Sequence, residues 1–378
     1  AFKSVDSLGP GPEPSGPLPS TARELPREKP VKISLEPEDV AAERDAVESG
    51  RVGDACIVIR DLVKVFPAMG GNGPHAAVRG LSLAVGRGEC FGLLGPNGAG
   101  KSTAINMLTG FLTPSAGTAW VEGYDIIADM QQVYSIMGVC PQHDLLWEDL
   151  TAREHLLFYG RLKQLKSSEL SAAVDRALQS VNLFHNGVGD KRVKTYSGGM
   201  KRRLSVAISL MGSPRVVYMD EPSTGLDPAS RQNLWDVVKR SKPGRGIILT
   251  THSMEEAAAL CDRLGIFVDG GLVCIGNPRE LTARHGGYYV FSITVPPHEL
   301  DRADALVAGF APGARLTYSV GGTRKYELPA GEVTLADVFG TMSRAHAELN
   351  ILDWAVANAT LEEVFIKFAR TTGVEGGN

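Results

Sequence analysis

No apolar run in this chain reaches the roughly 18–20 residues that a membrane-spanning helix needs, so no segment of the 378 residues is expected to cross a bilayer as a helix. A signal peptide is not expected either, because the N-terminus is polar and lacks a hydrophobic core. A basic excess is missing as well. The 39 Lys and Arg stand against 43 Asp and Glu, a formal charge of −4, which leaves nucleic acid without an electrostatic footprint to bind. Cysteine is sparse: Cys56, Cys90, Cys140, Cys261 and Cys274, an odd number without a Cys-x-x-Cys pair. Buried reduced thiols of a cytosolic protein are the favoured reading, with a single disulfide as the lesser alternative. The chain begins at Ala1 and not at Met, as expected of a piece of a longer protein.

What is present is enough to fold. Hydrophobic residues make up 43% and charged residues 22%, which supports a sizeable core, and the length implies more than one folding unit. Residues 9–20 alternate Gly, Pro, Ser and Glu. Proline has no amide donor and a fixed φ, so 1–33 reads as a disordered linker. Residues 35–50 read equally well as a short charged helix ending near Gly50 or as more linker. From Cys56 onward short β-branched runs alternate with helical patterns: Cys56–Arg60, Leu81–Val85 and Cys90–Leu94. Val216–Met219 and Ile247–Leu249 are wholly apolar, as strands buried on both faces of a parallel sheet must be. Residues 150–211 read as mostly helical, opened by Thr151 and Glu154 at capping-box spacing. Asn277-Pro278 opens a further helix that Gly286 closes. Past Gly287 the order becomes β-α-β-β-α-β, that of a ferredoxin-like fold, and Asn358-Ala-Thr360 reads as a cap on the last helix rather than a glycosylation site.

The chemistry begins at Gly95, Pro96, Asn97, Gly98, Ala99, Gly100, Lys101, Ser102 and Thr103. Glycines at this spacing let backbone amides converge on a polyanion, and the helix that follows adds the positive end of its dipole. Lys101 can reach β- and γ-phosphates as a point charge, and the Ser102 hydroxyl suits Mg²⁺, a hard cation. The loop follows a strand and precedes an amphipathic helix, the context a phosphate loop requires. The run Val216–Met219 ends in Asp220, placed to hold Mg²⁺, and Glu221, a candidate general base for the water attacking the γ-phosphate. Ser197, Gly198 and Gly199 open another helix, a second anion-binding N-terminus. Lys201-Arg202-Arg203 reads as the solvated face of that helix.

Taken in order, the phosphate loop, Tyr-Ser-Gly-Gly-Met (196–200), Asp220-Glu221 and Thr-His-Ser (251–253) resemble the nucleotide-binding domain of an ATP-binding cassette (ABC) transporter. The resemblance implies an α/β fold: a P-loop NTPase-type cassette with a RecA-like core, an antiparallel β subdomain and a helical subdomain, followed by a small ferredoxin-like domain. It also implies further roles. Gln142 touches Mg²⁺ and the attacking water, and His252 contacts the γ-phosphate. Phe66 stacks on adenine in place of the more common Tyr. Ser197, Gly198 and Gly199 complete the ATP site of an opposing cassette, and Asp227 is the acid of the loop that crosses between the two. Tyr196 and Met200 depart from the common Leu-Ser-Gly-Gly-Gln.

The stretches 196–205, 220–228, 250–257 and 361–369 look like subfamily A, whose members typically move lipids or sterols and follow each cassette with a regulatory domain. On this reading, residues 1–50 are linker and connector to a second cassette, and 51–287 the ATPase domain with a helical subdomain at about 148–212. Residues 288–370 are the regulatory domain and 371–378 a tail. The implied cofactors are ATP and Mg²⁺. The implied partners are transmembrane domains of the same or another polypeptide and a second cassette, head to tail, on the cytoplasmic face of a membrane, without nucleic acid. An ATP-binding regulatory module with little turnover, and a soluble non-transport ABC ATPase, are the alternatives.

Overall fold

A computed structural model describes residues 37–68, 73–346 and 349–373. The linker assigned to 1–33 and residues 374–378 of the tail lie outside the described residues. The charged stretch after the linker is a helix, α1 (Glu38–Glu48), which buries Val40 and Val47. Strands β1 (Ala55–Phe66) and β2 (His75–Gly86) pair antiparallel. They are longer than the apolar runs that announced them, because irregularities in register carry the ladder past Arg60 and Asp61. Then come β3 (Cys90–Leu94), α2 (Lys101–Leu108), β4 (Ala116–Val121), β5 (Tyr124–Asp125), α3 (Met130–Ile136) and β6 (Met137–Cys140). Helices α4 (Ala152–Leu162), α5 (Ser167–Ser180) and α6 (Gly198–Ser209) fill the stretch read as helical. Thr151 and Glu154 form the expected capping box at the start of α4.

The chain continues through β7 (Val216–Asp220), α7 (Pro228–Ser241), β8 (Gly246–Thr251), α8 (Met254–Leu260), β9 (Arg263–Val268), β10 (Gly271–Gly276) and α9 (Pro278–His285). Six strands form the central sheet in the order β10-β9-β3-β8-β7-β6, parallel except for β10. Its strands are mostly apolar, with polar residues at their ends, because each serves two cores. Cys90, Leu94, Val217, Met219, Ile247 and Leu249 face the helical side. Phe91, Leu93, Val216, Tyr218 and Ile248 alternate with them and face β1, β2 and β4. Side chains that alternate across a strand make this division automatic. All five cysteines are buried free thiols. Burial pushes the Cys56 and Cys274 thiols up to about 12, which keeps them protonated and unreactive.

A separate core is built by β11 (Tyr288–Thr294), α10 (Leu300–Phe310), β13 (Thr323–Pro329), α11 (Leu335–Ala345) and β14 (Asp353–Asn358), with β12 (Arg315–Val320) an exposed edge strand beside β13. The sheet order β12-β13-β11-β14, antiparallel at every junction, is the ferredoxin-like arrangement. The last helix, α12 (Leu361–Gly373), leaves that sheet and sets Leu361 and Val364 into the core of the central sheet. Thr360 and Glu363 exchange hydrogen bonds at its start, so the Asn-Ala-Thr sequence is a helix cap.

Candidate nucleotide site

Parallel strands deliver their C-terminal ends to one edge of a sheet, where open α/β folds bind ligands. Here β3 ends in the glycine loop, β6 in Pro141-Gln142, β7 in Asp220-Glu221 and β8 in Thr251-His252. Two of the loop glycines are forced by close approach of other backbone. A Cβ on Gly95 would stand 2.3 Å from the Phe267 carbonyl oxygen, and one on Gly100, at φ 104°, would stand 2.1 Å from that of Ala77. Gly100→Ala therefore lowers stability by about 1–3 kcal/mol through strain and overpacking. An unchanged urea midpoint would disprove so close an approach.

Gly100 caps α2 in a left-handed conformation, and the loop between is solvent-facing at Asn97 and Gly98 while Ala99 is buried. Ser102 and Thr103 are half-buried in the first turn of α2. Lys101 is buried, its Nζ donating to the carbonyls of Gly95 (2.7 Å) and Pro96 (2.9 Å). Burial pulls its pKa below the ordinary lysine value, and the nearby carboxylates of Glu221 and Asp220 oppose that shift. The Ser102 hydroxyl donates to Asp220 Oδ1 at 3.1 Å, and Thr250 Oγ1 donates to the same oxygen. Glu221 sits in the left-handed region at φ 47°, its amide donating to the Thr250 carbonyl and hydroxyl at 3.1 and 3.0 Å. Its carboxylate is a meeting point. Oε2 accepts from Gln142 Nε2 at 3.4 Å and from Thr224 Oγ1 at 3.2 Å, and Oε1 lies 3.3 Å from His252 Nδ1. The structure thus gathers Lys101, Ser102, Gln142, Asp220, Glu221 and His252 around one point.

The remaining candidates lie elsewhere. Phe66, at the end of β1, is half-buried, outside the apolar cores, with Lys64 Nζ 5.4 Å from its ring centre. It pairs with His75, two residues from the Ala77 carbonyl that touches Gly100. Ser197 and Gly198 are exposed and Gly199 half-buried at the start of α6, where Ser197 Oγ accepts from the Met200 amide at 3.3 Å. Tyr196 is buried, and its hydroxyl donates to the Val188 carbonyl at 2.6 Å. Asp227 is exposed and caps α7 by accepting from the Ser230 amide at 3.0 Å; hydrogen bonding from the Ser230 side chain first, and from its amide second, holds the carboxyl below the usual range.

One expectation fails. Arg202 does not face solvent: it is 4% exposed and its guanidinium donates to six acceptors around the site. Its neighbours are less buried. Lys201 pairs with Glu148 at 3.1 Å and Arg203 donates to the Val181 carbonyl at 2.9 Å. The spacing offered a clue, since Arg202, Ser205 and Ser209 form one buried polar stripe on α6. Glu256 also went unremarked. It is 1% exposed, accepts from Trp235 Nε1 at 3.3 Å, and burial raises its carboxyl while bonds from Thr251, Ser223 and Trp235 oppose the rise.

Among the described residues no group of three or more His, Cys, Asp or Glu is placed to hold a metal. Two hard oxygens on the chain, Ser102 Oγ and Asp220 Oδ1, 3.1 Å apart, nonetheless suit Mg²⁺, which keeps waters and takes phosphate oxygens for the rest of its shell.

Residues 78–224 match the family model described as ABC transporter, and residues 289–339 that described as ABCA12-like, C-terminal domain. ABC transporter A family member 12 of Arabidopsis thaliana is 58% identical over 347 residues, covering 91% of this chain and 38% of the relative. Member 10 of the same plant is 55% identical over 361 residues, covering 94% and 40%. Among solved structures, an ATP-binding subunit of an ABC transporter aligns with TM-score 0.55 and 26% identity, covering 61% of this chain and 93% of that one. The dimeric cassette MJ0796 bound to ADP and Pi aligns at TM-score 0.54 over 58% of this chain and 98% of that one, with 20% identity, a likeness of fold. Fold and site define an ABC-type ATPase cassette. The likeness that spans most of the chain is to members of the ABC transporter A family, and residues 289–339 match the model of an ABCA12-like C-terminal domain. The chain spans 37–40% of the length of the Arabidopsis relatives it matches.

Proposed function

We propose that this chain is the engine of a membrane transporter: ATP draws two cassettes together head to tail, and hydrolysis releases them. The observation that carries the reading is the convergence of Lys101, Ser102, Asp220, Glu221, Gln142 and His252 on one sheet edge. Residues 95–103 cradle the phosphates, with Lys101 exchanging two carbonyls for phosphate oxygens, and Phe66 stacks on the base. Ser102, Gln142 and Asp220 would hold Mg²⁺, which when bound neutralises phosphate charge. Glu221 accepts the proton of the attacking water while Gln142 orients it, and His252, 3.3 Å from Glu221, contacts the γ-phosphate. Ser197, Gly198 and Gly199, exposed or half-exposed at a helix N-terminus, serve the ATP of the opposite cassette, with Asp227 in the loop between.

Beyond Gln142 the chain exposes Leu145, Trp147, Phe158 and Leu162. This apolar surface supports docking to transmembrane domains, and we read the cassette as working on the cytoplasmic face of a membrane. No described helix is long and apolar enough to cross one. The A-family resemblance makes lipid the proposed cargo class. The test is phosphate release by the protein with its partner cassette. Turnover is expected with ATP and Mg²⁺, falling to background when EDTA removes the metal. Equal release with EDTA would rule out a metal-assisted engine, and release indistinguishable from background in Mg²⁺ would favour a binding module instead.

A further inference from the structure

Arg202 sits on α6, the helix whose first residues face the opposite nucleotide in the proposed cassette pair, yet its guanidinium ends in the chain's own site. Nε donates to the Pro222 carbonyl at 2.8 Å. Nη2 donates to the carbonyls of Asp220 and Glu221 at 2.7 and 2.9 Å. Nη1 reaches the carbonyls of Pro141 and Gln142 at 2.5 and 3.2 Å and the Asp144 carboxylate at 3.3 Å. Five N–H groups in a fixed fork therefore bind the two segments that carry Gln142 and Glu221. Asp144 is held in turn by Ser205 Oγ at 2.7 Å, one turn further along α6.

Two physical points give this contact a function. Glu221 is a non-glycine residue with φ 47°, a conformation that persists only where its surroundings over-determine it. Thr250 fixes its amide and Arg202 its carbonyl, so the strained peptide is gripped from both sides. A buried arginine bonded to both segments also leaves no slack: rotating or sliding α6 must move the backbones of Gln142 and Glu221, or break several charge-assisted bonds at once. Motion of the α6 N-terminus, which responds to the other cassette's ATP, is thereby delivered to the base and the water-orienting amide of this one.

We propose that Arg202 is a positioning residue that couples the two nucleotide sites of a cassette pair, a strut between the helix completing one site and the reacting groups of the other. The inference rests on the head-to-tail reading above.

The test uses Arg202→Lys, which keeps the charge but replaces the fork by a point ammonium unable to span both segments. ATP affinity is expected to stay within twofold, because the phosphate loop is untouched. Turnover is expected to fall roughly 10- to 100-fold, the scale of a misplacement of about 1 Å, and the cooperativity of turnover with ATP to be lost. A small amount of phosphate-loop-intact chain is then mixed with an excess of Lys101→Met chains, so that most active sites pair one of each. Arg202→Lys is expected to lower turnover whether it is carried by the chain holding ATP or by the one facing it. Wild-type turnover and cooperativity in Arg202→Lys overturn the strut. So does a loss confined to the ATP-holding chain, which makes Arg202 a local support only, or a loss of ATP affinity or thermal stability that accounts for the fall. If the wild-type protein itself shows no Mg²⁺-dependent turnover, the engine reading fails and takes the strut with it. If wild type turns over and Arg202→Lys matches it, only the strut fails.

Discussion

Glu221→Gln is expected to slow ATP turnover by about 10²–10⁴-fold, the contribution typical of a positioned general base, while ATP is still retained. That is a loss of roughly 3–5 kcal/mol of transition-state stabilisation. The amide copies the carboxylate's shape and remains able to accept a hydrogen bond from Gln142 or Thr224, but it cannot accept the proton of water. Neither the backbone grip on residue 221 nor the bonds of Lys101 to Gly95 and Pro96 depend on the lost charge. Binding and hydrolysis should therefore separate. In the proposed cycle hydrolysis dissolves the pair, so the variant with ATP should accumulate as a dimer in size-exclusion chromatography while wild type returns to the smaller species. Steady-state phosphate release within threefold of wild type would remove Glu221 from the role of base. His252, whose ring nitrogen lies 3.3 Å away, would then be the next group to test.

The parts of this site that could be read from the sequence are those fixed by local rules. Gly95 and Gly100 are dictated by backbone approach, Ser197 by its place at a helix start, and the apolar strands by burial on two faces, whereas the roles of Asp227, Gln142 and His252 followed only from the family resemblance. The β-α-β-β-α-β order was legible because the strands after Gly287 alternate over an exposed face. Residues 110–135 were not, because β5 has two residues and α3 seven, too short for periodicity to register. Arg202 escaped for another reason. Its acceptors lie about 60 residues before it and 18–20 after it, so only the folded chain brings them together. A basic triplet next to a helix start looks solvated until that packing is known. Glu256 escaped likewise, since its bond to Trp235 spans 21 residues and two helices.

The second large effect concerns Lys101. Lys101→Met is expected to weaken ATP binding by about 2–5 kcal/mol, the cost of removing one partner of a desolvated charge pair, or roughly 30- to 5,000-fold in Kd. Folding stability should move the other way or not at all. The ammonium is buried, and desolvation outweighs Glu221 and Asp220 in setting its pKa, which lies below the ordinary lysine value. A depressed folded-state pKa means that the folded protein holds the proton less tightly than the unfolded chain. Lys101 therefore adds stability above the unfolded lysine pKa and loses it as pH falls through the folded value. At neutral pH the buried charge is a cost that methionine, similar in length and apolar, does not carry, set against the two carbonyl bonds that methionine cannot make. Unfolding experiments should find the variant at least as stable as wild type near pH 7, with wild type gaining on it as pH rises toward the lysine range. An equal loss of ATP binding and of stability at neutral pH would mean that Lys101 holds the loop together rather than the phosphates. The opposed signs, tighter fold and weaker nucleotide, are what a cation kept in a poor environment for the sake of an anionic ligand must produce.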